Sequence, residues 1–76
     1  MYKIKIRLDT QSDVTKFVSL AESFNHGFPI YLEDGCGHCV NARSILGVMY
    51  GKIEFKDLYV RSDSEQISTL FEDFMI

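Results

Sequence analysis

The first segment of the chain alternates between apolar and basic residues. The apolar positions are Tyr2, Ile4, Ile6 and Leu8, and the basic positions are Lys3, Lys5 and Arg7. Because successive side chains of a strand point to opposite sides, this alternation predicts a β-strand with one buried face and one wet, basic face. Residues 28–32 alternate in the same way and predict a second strand, with Pro29 at its start.

Apolar residues spaced three and four apart predict two amphipathic helices. The first stripe comprises Val14, Phe17, Val18, Ala21 and Phe24, and the second comprises Ile67, Leu70, Phe71, Phe74 and Met75. Thr10 or Ser12 could cap the first helix, and the glycine of Asn25-His26-Gly27 suits a left-handed turn at its end. The sequence Ser62-Asp63-Ser64-Glu65 predicts a capping box before the last helix.

The middle of the chain predicts a hairpin and a short helix. Residues 28–42 form two strands around the turn sequence 34–37, and the third strand runs from His38 to Ala42. Ser44 should open a helix that Gly51 stops, with Ile45, Val48 and Met49 facing inward. Residues 58–61 then form the fourth strand. The order βαββαβα predicts an α+β open-faced β-sandwich, a four-stranded antiparallel sheet covered on one face by helices.

The run from Val40 to Met49, Val-Asn-Ala-Arg-Ser-Ile-Leu-Gly-Val-Met, resembles the regulatory-serine segment of the HPr family. HPr proteins are the histidine-phosphorylated carriers of the bacterial sugar phosphotransferase system. Residues 17–24 are also similar to the HPr helix that follows the active loop. The resemblance implies one HPr-like domain over residues 1–76 with the sheet order 1-4-2-3. A ferredoxin-like βαββαβ domain is the alternative, although it would need neither the terminal helix nor the short middle helix.

The phosphate-carrying histidine of that family has no counterpart here. HPr places it in a Gly-Leu-His-Ala-Arg-Pro loop after the first strand, whereas residues 8–13 of this chain are Leu-Asp-Thr-Gln-Ser-Asp. His26 and His38 fall elsewhere, so we expect neither phosphohistidine transfer nor enzymatic activity. In this respect the chain is similar to the catabolite-repression paralogue of HPr, which acts through phosphoserine and a transcriptional regulator. A divergent phosphocarrier with another acceptor is an alternative.

Ser44 aligns with the serine that a regulatory kinase phosphorylates in some HPr proteins. A phosphate there would meet free N–H groups at the positive end of the helix dipole and add about −1.5 to −2 charges. An N-cap role would by itself explain a serine, and the two roles are compatible. The resemblance further implies that this helix docks onto a protein partner, such as a transcriptional regulator, a kinase or a phosphotransferase component. The docking candidates are Ile45, Leu46, Val48 and Met49, although all four could be core.

Cys36 and Cys39 have the spacing of a thiol–disulfide redox pair. Redox enzymes place that pair at a helix N-terminus, whereas here a turn leads into a strand. A zinc site would need third and fourth ligands, and His38 lies between the thiols while His26 is distant in sequence. We expect two turn cysteines that stay reduced, with no metal or cofactor. A thiol-redox or metal-linked protein is the alternative function.

Composition and net charge narrow the classes of partner that the protein could bind. Seventy-six residues make a single domain with a thin core. The net charge of −3 argues against nucleic-acid binding, although one sheet face could combine basic and aromatic residues, namely Lys3, Lys5, Arg7, Arg61, Tyr31 and Tyr59. No apolar run approaches the roughly 20 residues of a membrane span, and the N-terminus lacks the apolar stretch of a signal peptide. We therefore expect a cytoplasmic, bacterial-type protein without membrane or nucleic-acid partners.

Overall fold

The structure is a computed structural model that describes residues 1–76. Its elements follow the predicted order: β1 (Tyr2–Ile6), α1 (Gln11–Ser23), β2 (Ile30–Glu33), β3 (Cys39–Asn41), α2 (Ile45–Glu54), β4 (Leu58–Ser62), α3 (Ile67–Leu70) and a closing 3-10 turn, Glu72–Phe74. No helix has both the length and the apolar character needed to cross a membrane.

The four strands form one antiparallel sheet in the order β1-β4-β2-β3. Val60 pairs with Ile4 on one side and with Leu32 on the other, and Leu32 pairs in turn with Val40. These aligned positions place an apolar row across the sheet, and the helices pack on that face. The predicted α+β fold and its strand order are thereby confirmed.

Aromatic side chains join the first helix to the C-terminal segment. The ring of Phe17 stacks on Phe71 with a centroid separation of 4.6 Å, and it meets Phe74 edge-on at 6.0 Å. All three side chains are buried. Such pairs add stabilisation beyond their buried area, so this cluster fixes the end of the chain against α1.

The predicted role of Gly27 as a left-handed helix cap is wrong. Helix α1 ends at Ser23, the next residue, Phe24, is extended, and the only glycines with positive φ are Gly35 and Gly37. Thr10 caps the other end of α1, as one of the two predicted alternatives.

Gly51 does not stop α2, because the helix continues to Glu54. Gly51 is buried inside the helix, and a Cβ at this position would lie 3.1 Å from Leu32 Cδ2 and 3.1 Å from the Phe55 ring. The absent side chain therefore lets α2 approach β2 closely, which is a packing role and not a terminating one.

The last predicted helix is broken into α3 and the 3-10 turn. Beyond it the chain pairs with β1, where Arg7 N–H donates to the Phe74 carbonyl at 2.9 Å and Ile76 N–H donates to the Lys5 carbonyl at 3.2 Å. These non-helical bonds take the chain out of its helical path. The capping box is absent as well: Ser64 N–H donates to Ser62 Oγ and Gln66 N–H to Ser64 Oγ, so two short serine turns stand in its place.

Candidate functional site

The N-terminus of α1 is closed by its own residues. Asp13 N–H donates to Thr10 Oγ1 at 3.1 Å, and Asp13 Oδ2 accepts from the N–H groups of Asp9 and Thr10 at 2.9 and 3.1 Å. The bond from Asp9 N–H, reinforced by that from Thr10 N–H, holds the pKa of the Asp13 carboxyl below its usual value. A negative charge therefore occupies the helix end at which an incoming phosphoryl group would need free donors and positive potential.

The two histidines lie away from this helix end. His26 follows the opposite end of α1, with Nε2 2.7 Å from the Glu22 carbonyl oxygen. His38 lies in the β2–β3 hairpin, with Nδ1 2.8 Å from Asp34 Oδ2. Neither ring stands at the N-terminus of a helix.

Ser44 caps α2 as the sequence predicts. Its Oγ accepts a hydrogen bond from Gly47 N–H at 3.1 Å, and its carbonyl accepts from Val48 N–H at 2.9 Å. Its own N–H donates to the Asn41 carbonyl at 3.0 Å, so the cap is joined directly to the end of β3. Ser44 is half-buried. The hydroxyl and the carbonyl of Ser44 thus fix the first turn of α2 in position.

Arg43, immediately before the cap, ties α2 to the far end of α1. Its guanidinium donates to three carbonyls: Nε to Ala21 at 2.8 Å, Nη1 to Phe28 at 3.0 Å and Nη2 to Asn25 at 3.1 Å. The last turn of α1 has no basic residue of its own, so the guanidinium brings a positive charge to the negative end of the helix dipole. The role of Arg43 was not predicted from the sequence; the lack of a basic residue in the last turn of α1 is the one signal that could have suggested it.

Helix α2 directs a stripe of apolar side chains outward. Leu46, Tyr50 and Ile53 are 76%, 56% and 78% exposed, and their spacing of four and three residues places them on one helix face. Ile45 adjoins them and is 41% exposed. The α2 stripe, defined as Leu46, Tyr50 and Ile53, matches the spacing with which helices pack against one another. Ile53 could not be predicted because the expected helix ends at Gly51, and Tyr50, although inside that helix, was not among the predicted docking residues.

Two of the predicted docking residues do not belong to this stripe. Val48 is 0% exposed and packs in the core, so it cannot contact a partner. Met49 is half-buried between α1 and α2, where its sulfur lies 3.7 Å from Gln11 Nε2. Of the four predicted residues, Ile45 and Leu46 remain accessible.

The turn that carries the two cysteines is organised by Asp34. Its Oδ1 accepts from Cys36 N–H at 2.6 Å and from His38 N–H at 3.1 Å, while Gly35 and Gly37 take positive φ values of 80° and 100°. Chiefly because of the Cys36 N–H bond, the pKa of the Asp34 carboxyl lies below its usual value.

Both thiols are free and exposed on this turn, and no helix begins there. No group of three or more His, Cys, Asp and Glu side chains is arranged to hold a metal ion. The hairpin therefore offers two accessible thiols without the helix dipole that activates such a pair in redox enzymes.

The wet face of the sheet carries the predicted basic and aromatic residues, but these residues make ion pairs and cation–π contacts within the face. Lys3 Nζ lies 3.1 Å from the Glu33 carboxylate and 4.8 Å from the centre of the Tyr59 ring. Arg61 lies over Tyr31 at 4.9 Å, with Nε 2.7 Å from Glu33, although this N–H is not aligned for a hydrogen bond. Glu33 thus neutralises part of the positive charge at the centre of the face.

Comparisons with protein families, curated proteins and solved structures find no match to this chain.

Proposed function

We propose that this chain is an HPr-like regulatory or protein-docking domain that does not transfer phosphate through histidine and that binds its partner through the α2 stripe. The strand order 1-4-2-3 and the resemblance of residues 40–49 support the family assignment. The proposed partner is a protein of a bacterial cytoplasm: a transcriptional regulator, a kinase or a phosphotransferase component.

The exposure of the α2 stripe is the observation that carries this proposal. Leu46 and Ile53 keep about three quarters of their surface in water, at 76% and 78%. Large apolar groups that share one face of a helix are typical of surfaces that a partner covers, since burying them releases water. Ser44 fixes this helix at its first turn, so the stripe is presented on a rigid element and not on a loop.

A capture experiment tests the docking role. Wild-type protein and the Leu46→Ser/Ile53→Ser double variant are immobilised and exposed to bacterial cytosol, and the retained proteins are quantified by mass spectrometry. We expect specific partners to be lost from the double variant. Ile76→Ser is the matched control, because Ile76 is 72% exposed but lies outside α2, at the last position of the sequence. Equal capture by all three forms would refute docking through α2.

The absence of phosphohistidine transfer is tested separately. The protein is incubated with phosphoenolpyruvate and the general phosphotransferase enzyme, and phosphate is followed by intact-mass spectrometry before and after acid treatment. We expect no acid-labile phosphate, because Asp13 occupies the end of α1 and neither histidine lies there. Stoichiometric acid-labile phosphate on His26 or His38 would instead favour the divergent phosphocarrier.

Phosphorylation of Ser44 is the proposed means of regulation. A phosphate at this position would add negative charge beside Ile45 and Leu46 without requiring a change of fold. Ser44→Asp keeps a side-chain acceptor for Gly47 N–H and suits the helix dipole, so it should preserve the domain and alter affinity for the partner. Capture by wild type, Ser44→Ala and Ser44→Asp checks this. Identical capture by the three forms would leave Ser44 as a structural cap alone.

A further inference from the structure

The C-terminal segment binds one edge of the sheet, and no strand binds the other edge. On the β1 edge, the outward backbone groups of Lys5 and Arg7 are bound by the C-terminal residues through the bonds to Ile76 and Phe74. On the opposite edge, β3 has no neighbouring strand. An uncovered edge presents backbone donors and acceptors to which another chain can add.

The register identifies which groups of β3 are free. The hairpin bonds from Asp34 N–H to the His38 carbonyl and from Ala42 N–H to the Ile30 carbonyl show that residues 38, 40 and 42 bond toward β2. Because the bonds of an antiparallel pair alternate, the backbone groups of Cys39 and Asn41 point away from the sheet. The Asn41 carbonyl accepts from Ser44 N–H, which leaves three groups for a partner: Cys39 N–H, Cys39 C=O and Asn41 N–H.

A cleft of about 700 Å³ runs along this edge between the hairpin and α2. The helix contributes Tyr50 and Glu54 to its wall, and the strand contributes Cys39 and Val40. Gly47 faces the same strand, since a Cβ at that position would lie 3.4 Å from Val40 Cβ. The absence of a side chain at Gly47 therefore lets α2 pack closely over Val40 beside the cleft.

The charge and the apolar surface of the cleft indicate which kind of peptide segment would bind there. The Glu54 carboxylate, which is exposed, makes no ion pair, and the Asp34 carboxylate lies at the other side of the cleft beside His38. Val40, Tyr50 and the nearby Phe55 supply apolar surface. An extended segment that alternates apolar residues with a basic one would complement both features.

We propose that β3 binds an extended peptide segment of a partner protein by strand addition, with apolar side chains against Val40 and Tyr50 and a basic side chain beside Glu54. This inference rests on the proposed docking function, because Tyr50 belongs to both surfaces. It adds the conformation and the charge of the bound segment. A second copy of the chain is a poorer occupant, since a three-residue strand would bury far less than the roughly 1,200 Å² of a stable interface.

The test begins with a display library of random linear peptides selected against the wild-type protein. Selected peptides are synthesised, and their dissociation constants are measured by isothermal titration calorimetry. Each peptide is then N-methylated at successive backbone positions. We expect methylation at alternate positions to weaken binding about tenfold or more and methylation at the positions between them to change little, because only every second N–H of an added strand faces β3.

Protein variants supply the complementary evidence. Cys39→Pro removes the outward N–H at an edge position that tolerates proline, and Cys39→Ser is the matched control that keeps it. We expect the proline variant alone to weaken binding about tenfold. Glu54→Gln should weaken binding of the basic peptides, whereas Glu22→Gln, at an exposed position of α1, should not. If Cys39→Pro does not fold, the methylated peptides decide the question without it.

The outcomes separate this inference from the docking proposal. Failure to select any peptide, methylation effects without alternation, or dimerisation of the free protein in sedimentation at micromolar concentration would overturn strand addition. If Leu46→Ser/Ile53→Ser loses its captured partner while N-methylated peptides bind equally well, strand addition is wrong and docking through α2 stands. If the double variant keeps its captured partner and N-methylation does not weaken peptide binding, both strand addition and docking through α2 are refuted.

Discussion

Replacing Arg43 with methionine should destabilise the domain substantially, although Arg43 lies outside the hydrophobic core. Its guanidinium donates to the carbonyls of Ala21, Asn25 and Phe28, at 2.8, 3.1 and 3.0 Å. Methionine fills a similar volume along the stem but cannot donate a hydrogen bond. The substitution therefore removes the connection between the start of α2 and the end of α1 while changing little of the surrounding packing.

The expected loss in free energy of unfolding follows from the surroundings of each hydrogen bond. The bond to Ala21 is partly buried, and a hydrogen bond to a charged donor in that setting contributes about 1.5–3 kcal/mol. The carbonyls of Asn25 and Phe28 accept in exposed positions, where water can replace the donor, so each adds about 0.5 kcal/mol or less. The expected loss is about 1.5–4 kcal/mol, which for a domain of this size lowers the melting temperature by about 6 °C or more.

Urea unfolding and thermal melting followed by circular dichroism measure this loss. Arg7→Met is the matched control, because it makes the same exchange at an exposed ion pair with Asp9, where about 0–1 kcal/mol is expected. Arg43→Lys should fall between wild type and Arg43→Met, since one amine cannot reach three carbonyls. Equal stabilities of Arg43→Met and Arg7→Met would refute the reasoning.

Three further predictions concern other parts of the domain. Ser44→Ala should lower the free energy of unfolding by about 0.5–2 kcal/mol through loss of the bond from Gly47 N–H, and unchanged urea unfolding would contradict the capping role. Cys36→Ser and Cys39→Ser should leave the melting temperature unchanged in reducing buffer because both thiols are exposed; a clear drop would indicate an unrecognised structural role. The folded pKa of Asp13 lies below its usual 3.8, so its stabilisation is complete above pH 3.8 and is lost as pH falls through the folded pKa. Wild type should therefore lose stability more steeply in acid than Asp13→Asn, and parallel urea midpoints across that pH range would count against it.

The order and kind of the main elements could be predicted from the sequence alone. Alternation at residues 2–8 and stripes of apolar residues at helical spacing depend only on which face of an element is buried, and burial of that face is also what stabilises it. The caps at Thr10 and Ser44 could be predicted for a similar reason, since a hydroxyl that binds an N–H three residues later is a local interaction. The lack of a histidine at the start of α1 is likewise visible in the sequence alone.

Other features depend on contacts between distant parts of the chain, which local sequence rules do not describe. Gly51 looks like a helix terminator in the sequence, but its position over Leu32 makes it a contact residue, and the helix that continues past it carries Ile53 into the α2 stripe. Arg43 finds its three acceptors some 15 to 22 residues away. The C-terminal segment leaves its helical path because Lys5 in β1 and Arg7 just after it offer backbone bonds to Ile76 and Phe74, at the other end of the sequence. Each depends on which surfaces meet in space, and a pattern of neighbouring residues along the chain does not contain that information.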